Sequence, residues 1–489
     1  MVDLGGLVVK MWGRVLGERY RPLADCGEMS FFSLPTHIMP RTISATSLVS
    51  QSRPMQSTPV TVSAIPSLTA RDAACVWHPY TQHFTASDPL TVVRGEGAWL
   101  VTESGDRYLD AISSWWVNIH GHAHPHIADG LARQARELEH VIFAGFTHRP
   151  AVEVAERILG YLPDNFSKVF FSDNGSTAVE IGLKMALQYY HNLGTPRRKV
   201  VAFEEAFHGE TFGAMSVSGE LSLNNAFHSH LFEVIRIPPP VSGHEAASAA
   251  ALEAVLQTES VYAFLFEPLI QGAGGMRMYA PAALDALLGI CKENNVLSIA
   301  DEVMTGFYRT GTRFAIDQLY HQPDIICLSK GLTGGTLPLA LTVCTEQIFN
   351  AFLSQDKYKT FFHGHSYTAN PLGCAAALAS FDLIDAPDFD DRIARIGHQH
   401  RAFAARLRPH PRVRAIRCCG TIVALEFETA EGTSYFNSLR DRLYEFFLSK
   451  GLLLRPLGNV IYVMPPYCVT AEELEQVYAA IAIALDEVV

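Results

Sequence analysis

Six apolar runs recur along the middle of the chain, each too uniformly hydrophobic to leave one face in water: Val169-Phe-Phe-Ser172, Val200-Val-Ala-Phe203, Ala263-Phe-Leu-Phe-Glu267, Leu297 to Asp301, Asp324 to Leu328 and Leu339 to Cys344. Helical patterns separate them. Strands buried on both faces, alternating with helices, imply an α/β fold with a mostly parallel central sheet. In that architecture ligands gather outside the carboxyl ends of the strands. Glu267, Asp301 and Lys330 all stand at such ends, so their convergence on one crevice is expected.

Lys330 lies in Asp324-Ile-Ile-Cys-Leu-Ser-Lys330-Gly-Leu-Thr-Gly-Gly, where an apolar strand runs straight into a glycine-rich turn. A lysine delivered this way is placed to form a Schiff base. Asp301 ends another apolar strand 29 residues earlier, and an acid there can keep a pyridinium nitrogen protonated. A lysine to carry the aldehyde and an Asp for the ring nitrogen are what pyridoxal phosphate requires of a protein. Taken singly, each has an ordinary reading, as a solvated surface cation and as a strand terminus.

At 489 residues and 48% hydrophobic content the chain can build two or three domains with sizeable cores. The formal net charge of −12, with no basic run, argues against nucleic acid or an anionic membrane as partner. Nine cysteines without a Cys-x-x-Cys pair suit scattered thiols in a reducing compartment. No stretch approaches the length of a membrane-spanning apolar helix. A cytoplasmic enzyme is expected. Residues 1–70 read differently: no acid occurs between Glu28 and Asp72, while Ser, Thr and Pro are dense. They are read as an organelle transit segment, with import as the alternative location, as an unstructured extension, or as an upstream stretch included by an early start choice with Met55 as a later start. After this leader the expected organisation is an N-terminal segment over 71–125, a large domain over 126–377, and a smaller domain over 378–489 with strands at Thr421 to Phe427 and Val460 to Met464. The N-terminal segment is expected to pack against that small domain.

A phosphate anchor is predicted at Phe171-Ser-Asp-Asn-Gly175-Ser176-Thr, where a strand gives way to a helix. Gly175 permits a tight turn, and Ser176 offers its hydroxyl beside the first free N–H groups. The plainer alternative is that Ser176 merely caps the helix. The run Phe207-His208-Gly209-Glu210 offers an aromatic ring for one face of the cofactor.

With these residues assembled, the chain resembles the class III pyridoxal-phosphate-dependent aminotransferases of fold type I. Several motifs carry the resemblance from about Trp77 to the C-terminus: Trp77-His-Pro-Tyr80-Thr, Ser113-Ser-Trp115-Trp116 followed by His120-Gly, Glu267-Pro-Leu-Ile-Gln-Gly-Ala-Gly-Gly-Met-Arg-Met-Tyr279, and Arg455-Pro-Leu-Gly-Asn-Val-Ile-Tyr462-Val-Met-Pro-Pro. The Trp-Trp and Met-Pro-Pro motifs look most like the biotin-pathway branch, which moves an amino group from S-adenosyl-L-methionine to 8-amino-7-oxononanoate.

The resemblance implies roles. Lys330 would carry the cofactor aldehyde and shuttle a proton, with Asp301 on the ring nitrogen. Gly175 and Ser176 would hold the phosphate, helped by Ser366 from His363-Gly364-His-Ser366, which in this family reaches across from a second subunit, so a homodimer with shared sites is expected. Phe207 and His208 would contact the cofactor. Tyr80, Trp115, Trp116 and Tyr462 would line an apolar substrate slot, Glu267 and Gly364 would border it, and Arg455 would grip a substrate carboxylate. The chain departs from the family's usual pattern at Phe207, where Tyr is common, at Glu210, where Asp often stands, and at His365-Ser366 in place of Pro-Thr. These departures leave lysine open as an alternative amino donor.

His120, His122, His124 and His126 alternate as metal ligands on a strand could. Gly121 and Pro125 favour a turn, and no metal is expected. No nucleophile elbow supports a hydrolase. Three functions stay open: the biotin-pathway transaminase, a neighbouring class III transaminase or aminomutase, and a non-catalytic cofactor-binding protein. Intact Lys330 and Asp301 disfavour the last.

Overall fold

The computed structural model describes residues 66–219 and 222–489. The leader expected over 1–70 lies outside the described residues except for its last few positions. Residues 66–489 form one compact unit. In chain order its strands are β1 (Val92–Glu96), β2 (Trp99–Thr102), β3 (Arg107–Asp110), β4 (Phe166–Ser172), β5 (Lys199–Phe203), β6 (Ile235–Ile237), β7 (Val261–Phe266), β8 (Ile270–Gln271), β9 (Arg277–Met278), β10 (Leu297–Asp301), β11 (Ile325–Leu328), β12 (Ala340–Thr345), β13 (Val413–Cys419), β14 (Ile422–Phe427), β15 (Leu452–Leu453) and β16 (Val460–Val463).

The main sheet has the order β4-β12-β11-β10-β7-β5-β6, and only β12 runs against the rest. The expected mostly parallel α/β sheet is therefore present. Successive residues feed opposite cores: Val201, Phe203, Phe264 and Phe266 pack on one side, and Val200, Ala202, Ala263 and Leu265 on the other. Burial on both faces explains why these strands are continuous apolar runs. Because β12 is reversed, its first residue lies at the carboxyl edge of its neighbours, with Ala340 opposite Ser172 and Leu341 opposite Leu328.

Two smaller sheets flank this one in sequence. β1, β2 and β3 form an antiparallel meander, and the two-residue β15 adds to it in parallel, setting Leu109 beside Leu452 and Asp110 beside Leu453. β13, β14 and β16 form an antiparallel sheet. Among the described residues no helix is long and apolar enough to cross a membrane.

The four alternating histidines do not face one another as ligands. His120 bonds Ser380 Oγ at 2.9 Å, His122 meets Asp110 at 2.9 Å and His126 meets Asp382 at 3.1 Å. His124 stands at the start of the helix Pro125–Glu137. Gly121 has φ of +84°, which breaks the extended strand that alternation would need.

Candidate active site

At the carboxyl edge of the main sheet a cavity of about 530 Å³ opens, lined by Gly175, Ser176, Phe207, His208, Glu267, Asp301 and Lys330, with Trp115 and Trp116 on one wall. Each side chain arrives from a different strand end. β4 leads to Gly175 and Ser176, β5 to Phe207 and His208, β7 to Glu267, β10 to Asp301 and β11 to Lys330.

Lys330 opens a short 3₁₀ turn, Lys330–Thr333, and takes φ of +47°. Gly334, also at positive φ, closes that turn. Burial lowers the pKa of the Lys330 ammonium and the carboxylates of Asp301 and Glu267 pull the other way. The outcome is an amine more easily deprotonated than a surface lysine. Its Nζ lies 4.9 Å from the centre of the Trp116 ring.

Asp301 accepts from the Val303 N–H at 3.1 Å through Oδ1 and lies 2.7 Å from His208 Nδ1 through Oδ2. A carboxylate can only accept, so the imidazole Nδ1–H donates. Glu267 is also buried and accepts from the N–H groups of Phe207 and Gly272 at 3.0 and 2.8 Å. Burial pushes its carboxyl up to about 7, against the pull of His208 and those two bonds.

The helix Gly175–Asn192 begins under a reciprocal capping box: the Asn174 side chain accepts from Thr177 N–H, and Thr177 Oγ1 accepts from Asn174 N–H. The cap is thus Asn174 and not Ser176, which corrects the plainer sequence alternative. Ser176 is freed to accept from the Glu210 N–H at 3.0 Å. A Cβ on Gly209, whose φ is +135°, would overlap Ser176, and one on Gly175 would overlap Val303. Both glycines keep the turn open at the helix N-terminus, where unpaired N–H groups and the helix dipole attract an anion. Glu180 fixes the same loop from the helix, accepting from Thr211 Oγ1 and Gly213 N–H at 2.5 and 2.7 Å.

These features fit pyridoxal phosphate. The glycine-bared helix start can take a phosphate, Phe207 and Val303 offer apolar walls, and Asp301 can face a protonated ring nitrogen. His208 Nε2 is buried without a partner, as expected of a site built around a group of its own.

Trp115 and Trp116 sit in a four-residue helical turn, Ser113–Trp116. Trp116 is buried and its Nε1–H donates to Tyr462 Oη at 2.9 Å. Trp115 is more exposed, with Tyr80 against it at 5.4 Å between ring centres and the Arg455 guanidinium 5.3 Å from its ring. Tyr80 also donates its hydroxyl to Glu210. Among the described residues Arg455 has no carboxylate partner, so its fork is available to a ligand. Tyr80, Arg455 and Tyr462 do not line the cavity and meet it through Trp115 and Trp116, and Gly364 and Ser366 are not brought to it by the chain itself and lie in an exposed loop. Sequence reasoning missed the His208–Asp301 contact, the Glu267 clamp on Phe207 and the role of Val303. The only local signal was the placement of His208 beside the ring-bearing Phe207.

The class-III aminotransferase family profile matches residues 82–485. The chain is 51% identical over 422 residues to the adenosylmethionine-8-amino-7-oxononanoate aminotransferase of Synechococcus elongatus, covering 84% of this chain and 99% of that one. Its namesake in Geobacter sulfurreducens is 39% identical, over 83% of this chain and 94% of the relative. The crystal structure of the enzyme of that name from Methanocaldococcus jannaschii superposes with a TM-score of 0.82 at 35% identity, covering 86% of this chain and 99% of the other. An omega transaminase from Pseudomonas jessenii in complex with PMP gives 0.81 at 27% identity, over 86% and 98% of the two chains.

Proposed function

The chain belongs to the class-III aminotransferase family, and from that premise we infer that it is the biotin-pathway transaminase, moving the amino group of S-adenosyl-L-methionine to 8-amino-7-oxononanoate to give 7,8-diaminononanoate. The observation that carries this reading is the joining of two halves in one cavity: the Lys330–Asp301 floor, and a wall of Trp115 and Trp116 against which Arg455 stacks without a partner. A nine-carbon chain ending in a carboxylate would suit an apolar wall of paired tryptophans with a guanidinium stacked on the outer one.

Pyridoxal phosphate, when bound, supplies an aldehyde that takes the amine and a pyridinium ring that draws electrons from the adjacent carbon. Gly175 and Ser176 would hold its phosphate through the helix N-terminus. Phe207 and Val303 would pack against its ring, and Asp301, oriented by His208, would hold a proton on the ring nitrogen. Lys330 Nζ, its pKa lowered by burial, would move a proton off the donor's α-carbon and, in the second half-reaction, onto the acceptor's former carbonyl carbon. Tyr80, Trp115, Trp116 and Tyr462 exclude water from the acceptor's chain, and Arg455 fixes its carboxylate. Glu267 holds the backbone beneath Phe207 and so sets the height of that ring. Ser366 would help hold the phosphate in a second copy of a homodimer, and Gly364 would border that copy's substrate slot.

A second reading keeps the acceptor and uses lysine as donor; the replacements Phe207 and Glu210 beside Tyr80 favour testing it. The experiment loads the full chain with cofactor and follows bleaching of its visible band with S-adenosyl-L-methionine, lysine and glutamate, then recovery with 8-amino-7-oxononanoate. Bleaching by the first and recovery by the acceptor are expected. Bleaching by lysine alone would move the assignment to the second reading, and no recovery with the acceptor would end both.

A further inference from the structure

The tryptophan pair stands on backbone that needs outside bonds to keep its shape. Ser113, Ser114 and Trp116 have φ of 52°, 57° and 69°, and none is glycine. Ser114 joins its φ to ψ of −88°, outside even the left-handed helical basin. Such conformations persist only where the surroundings over-determine them.

One buried carboxylate supplies most of that determination. Asp110, fully enclosed at the end of β3, accepts from Ile112 N–H at 3.2 Å through Oδ1. Its Oδ2 accepts from the Ser114 N–H at 2.6 Å and the Ser114 hydroxyl at 3.1 Å. The same oxygen meets His122 Nε2 at 2.9 Å, and because a carboxylate has no proton to give, the imidazole donates. On the other flank Ser113 Oγ donates to the Met464 carbonyl at 2.9 Å. Neither Asp110 nor His122 lines the cavity, so any effect on ligand passes through the turn they hold.

We propose that Asp110 and His122 are positioning residues that set how tightly the slot grips an acceptor's hydrocarbon chain, by fixing Trp115 and Trp116 in their strained placement. The inference rests on the slot assignment made under the proposed function. An amide at position 110 would turn an N–H toward groups that themselves donate, from Ser114 or His122, and the turn would relax.

The probe is nonanoate, a nine-carbon carboxylate with neither ketone nor amine, titrated calorimetrically into the full-length, cofactor-loaded protein. Asp110→Asn should weaken its binding about tenfold or more, and should red-shift tryptophan emission. Loss of those buried bonds should lower the melting temperature modestly, while the visible cofactor band should be retained. In steady state the same variant should raise KM for the acceptor with kcat kept within about twofold. Should Asp110→Asn fold poorly, His122 gives the same test: Gln keeps an N–H where Nε2 stood and should bind like the parent, whereas Met removes it and should bind weakly. Parental affinity in both Asp110→Asn and His122→Met overturns the proposal. So does a parallel loss of kcat, cofactor loading and stability with KM unchanged, the mark of a merely structural role, and so does a parent that fails to bind nonanoate. The donor and acceptor assay described above is read on the parent alone, so failure of the proposed function is distinguished from failure of this inference.

Discussion

His208 turns one ring nitrogen to Asp301, with Nδ1 2.7 Å from Oδ2, while its other nitrogen is buried and unpartnered. The imidazole therefore acts on the aspartate, which in turn faces the cavity. His208→Phe keeps the ring and removes the N–H. Losing one charge-assisted bond of about 1.5–3 kcal/mol should slow the amine half-reaction roughly ten- to a hundredfold. Asp301→Asn should slow it further, since it removes the charge as well as its alignment. Stopped-flow bleaching of the visible band reads both, and a parental rate in His208→Phe would remove the histidine from the site's electrostatics.

Gly209→Ala should cost the enzyme its cofactor more than its fold. A methyl there would overlap Ser176 at the helix N-terminus, and φ of +135° disfavours any side chain. We expect at least a tenfold loss of cofactor affinity, measured by titrating the visible band. Gly105→Ala is the control: its φ is +92°, but its Cβ would meet nothing. Backbone strain without loss of cofactor is expected there, and equal behaviour of the two variants would argue against the cradle.

Arg455→Ala should remove the preference for a carboxylate at the acceptor's end. The guanidinium stacks on Trp115 and has no acidic partner among the described residues, and the bidentate bond proposed for it would be worth roughly 1.5–3 kcal/mol, or about ten- to a hundredfold in acceptor binding. Aminated enzyme titrated with 8-amino-7-oxononanoate and with its methyl ester makes the comparison. The parent should prefer the acid and the variant should not, with Lys rescuing in part. Equal preference in both proteins would remove Arg455 from the acceptor site.

Glu302 makes stability fall with rising pH. It is buried beside Asp301, accepts from the Thr305 hydroxyl at 2.5 Å and the Ile316 N–H at 2.9 Å, and burial pushes its carboxyl up from 4.5 to about 7 despite those bonds. The folded protein thus keeps a proton that the unfolded chain releases. Its contribution is full below the unfolded value and is lost as pH rises through the folded one. Glu302→Gln has no proton to lose, so its stability relative to the parent should rise from pH 4.5 to pH 8, by on the order of 3 kcal/mol. Thermal melts at both pH values test this, and a constant difference would contradict it.

The main sheet was legible because its strands are buried on both faces, which writes them as unbroken apolar runs; Leu297–Asp301 is read to the residue. β1, β2 and β13 were not, because β1 is largely exposed, β2 is only four residues long and half-buried, and β13 is half-buried and mixed in polarity. Lys330 and Asp301 stood out through their strand ends. The His208–Asp301 bond joins residues 93 apart and leaves no local trace. Asn174 took the cap that Ser176 could have taken because its side chain reaches Thr177 N–H from one residue outside the helix. Gly364 and Ser366 lie in an exposed loop of the single chain, where no pattern within the chain reveals what they face.

The parallel pairing of β3 with β15 sets Asp110 beside Leu453. From these adjacent rungs the chain departs in one case to Trp115 and in the other to Arg455, whereas Asp301 ends a strand of the main sheet and Lys330 and His208 follow two others. Under the proposed reading, the tryptophan wall and the guanidinium behind it hang from one seam, while the residues that would handle the proton hang from another sheet. Trp116 nonetheless touches both, since the Lys330 ammonium lies 4.9 Å from the centre of its ring. A change at Trp116 would therefore be felt by the lysine as well as by the acceptor.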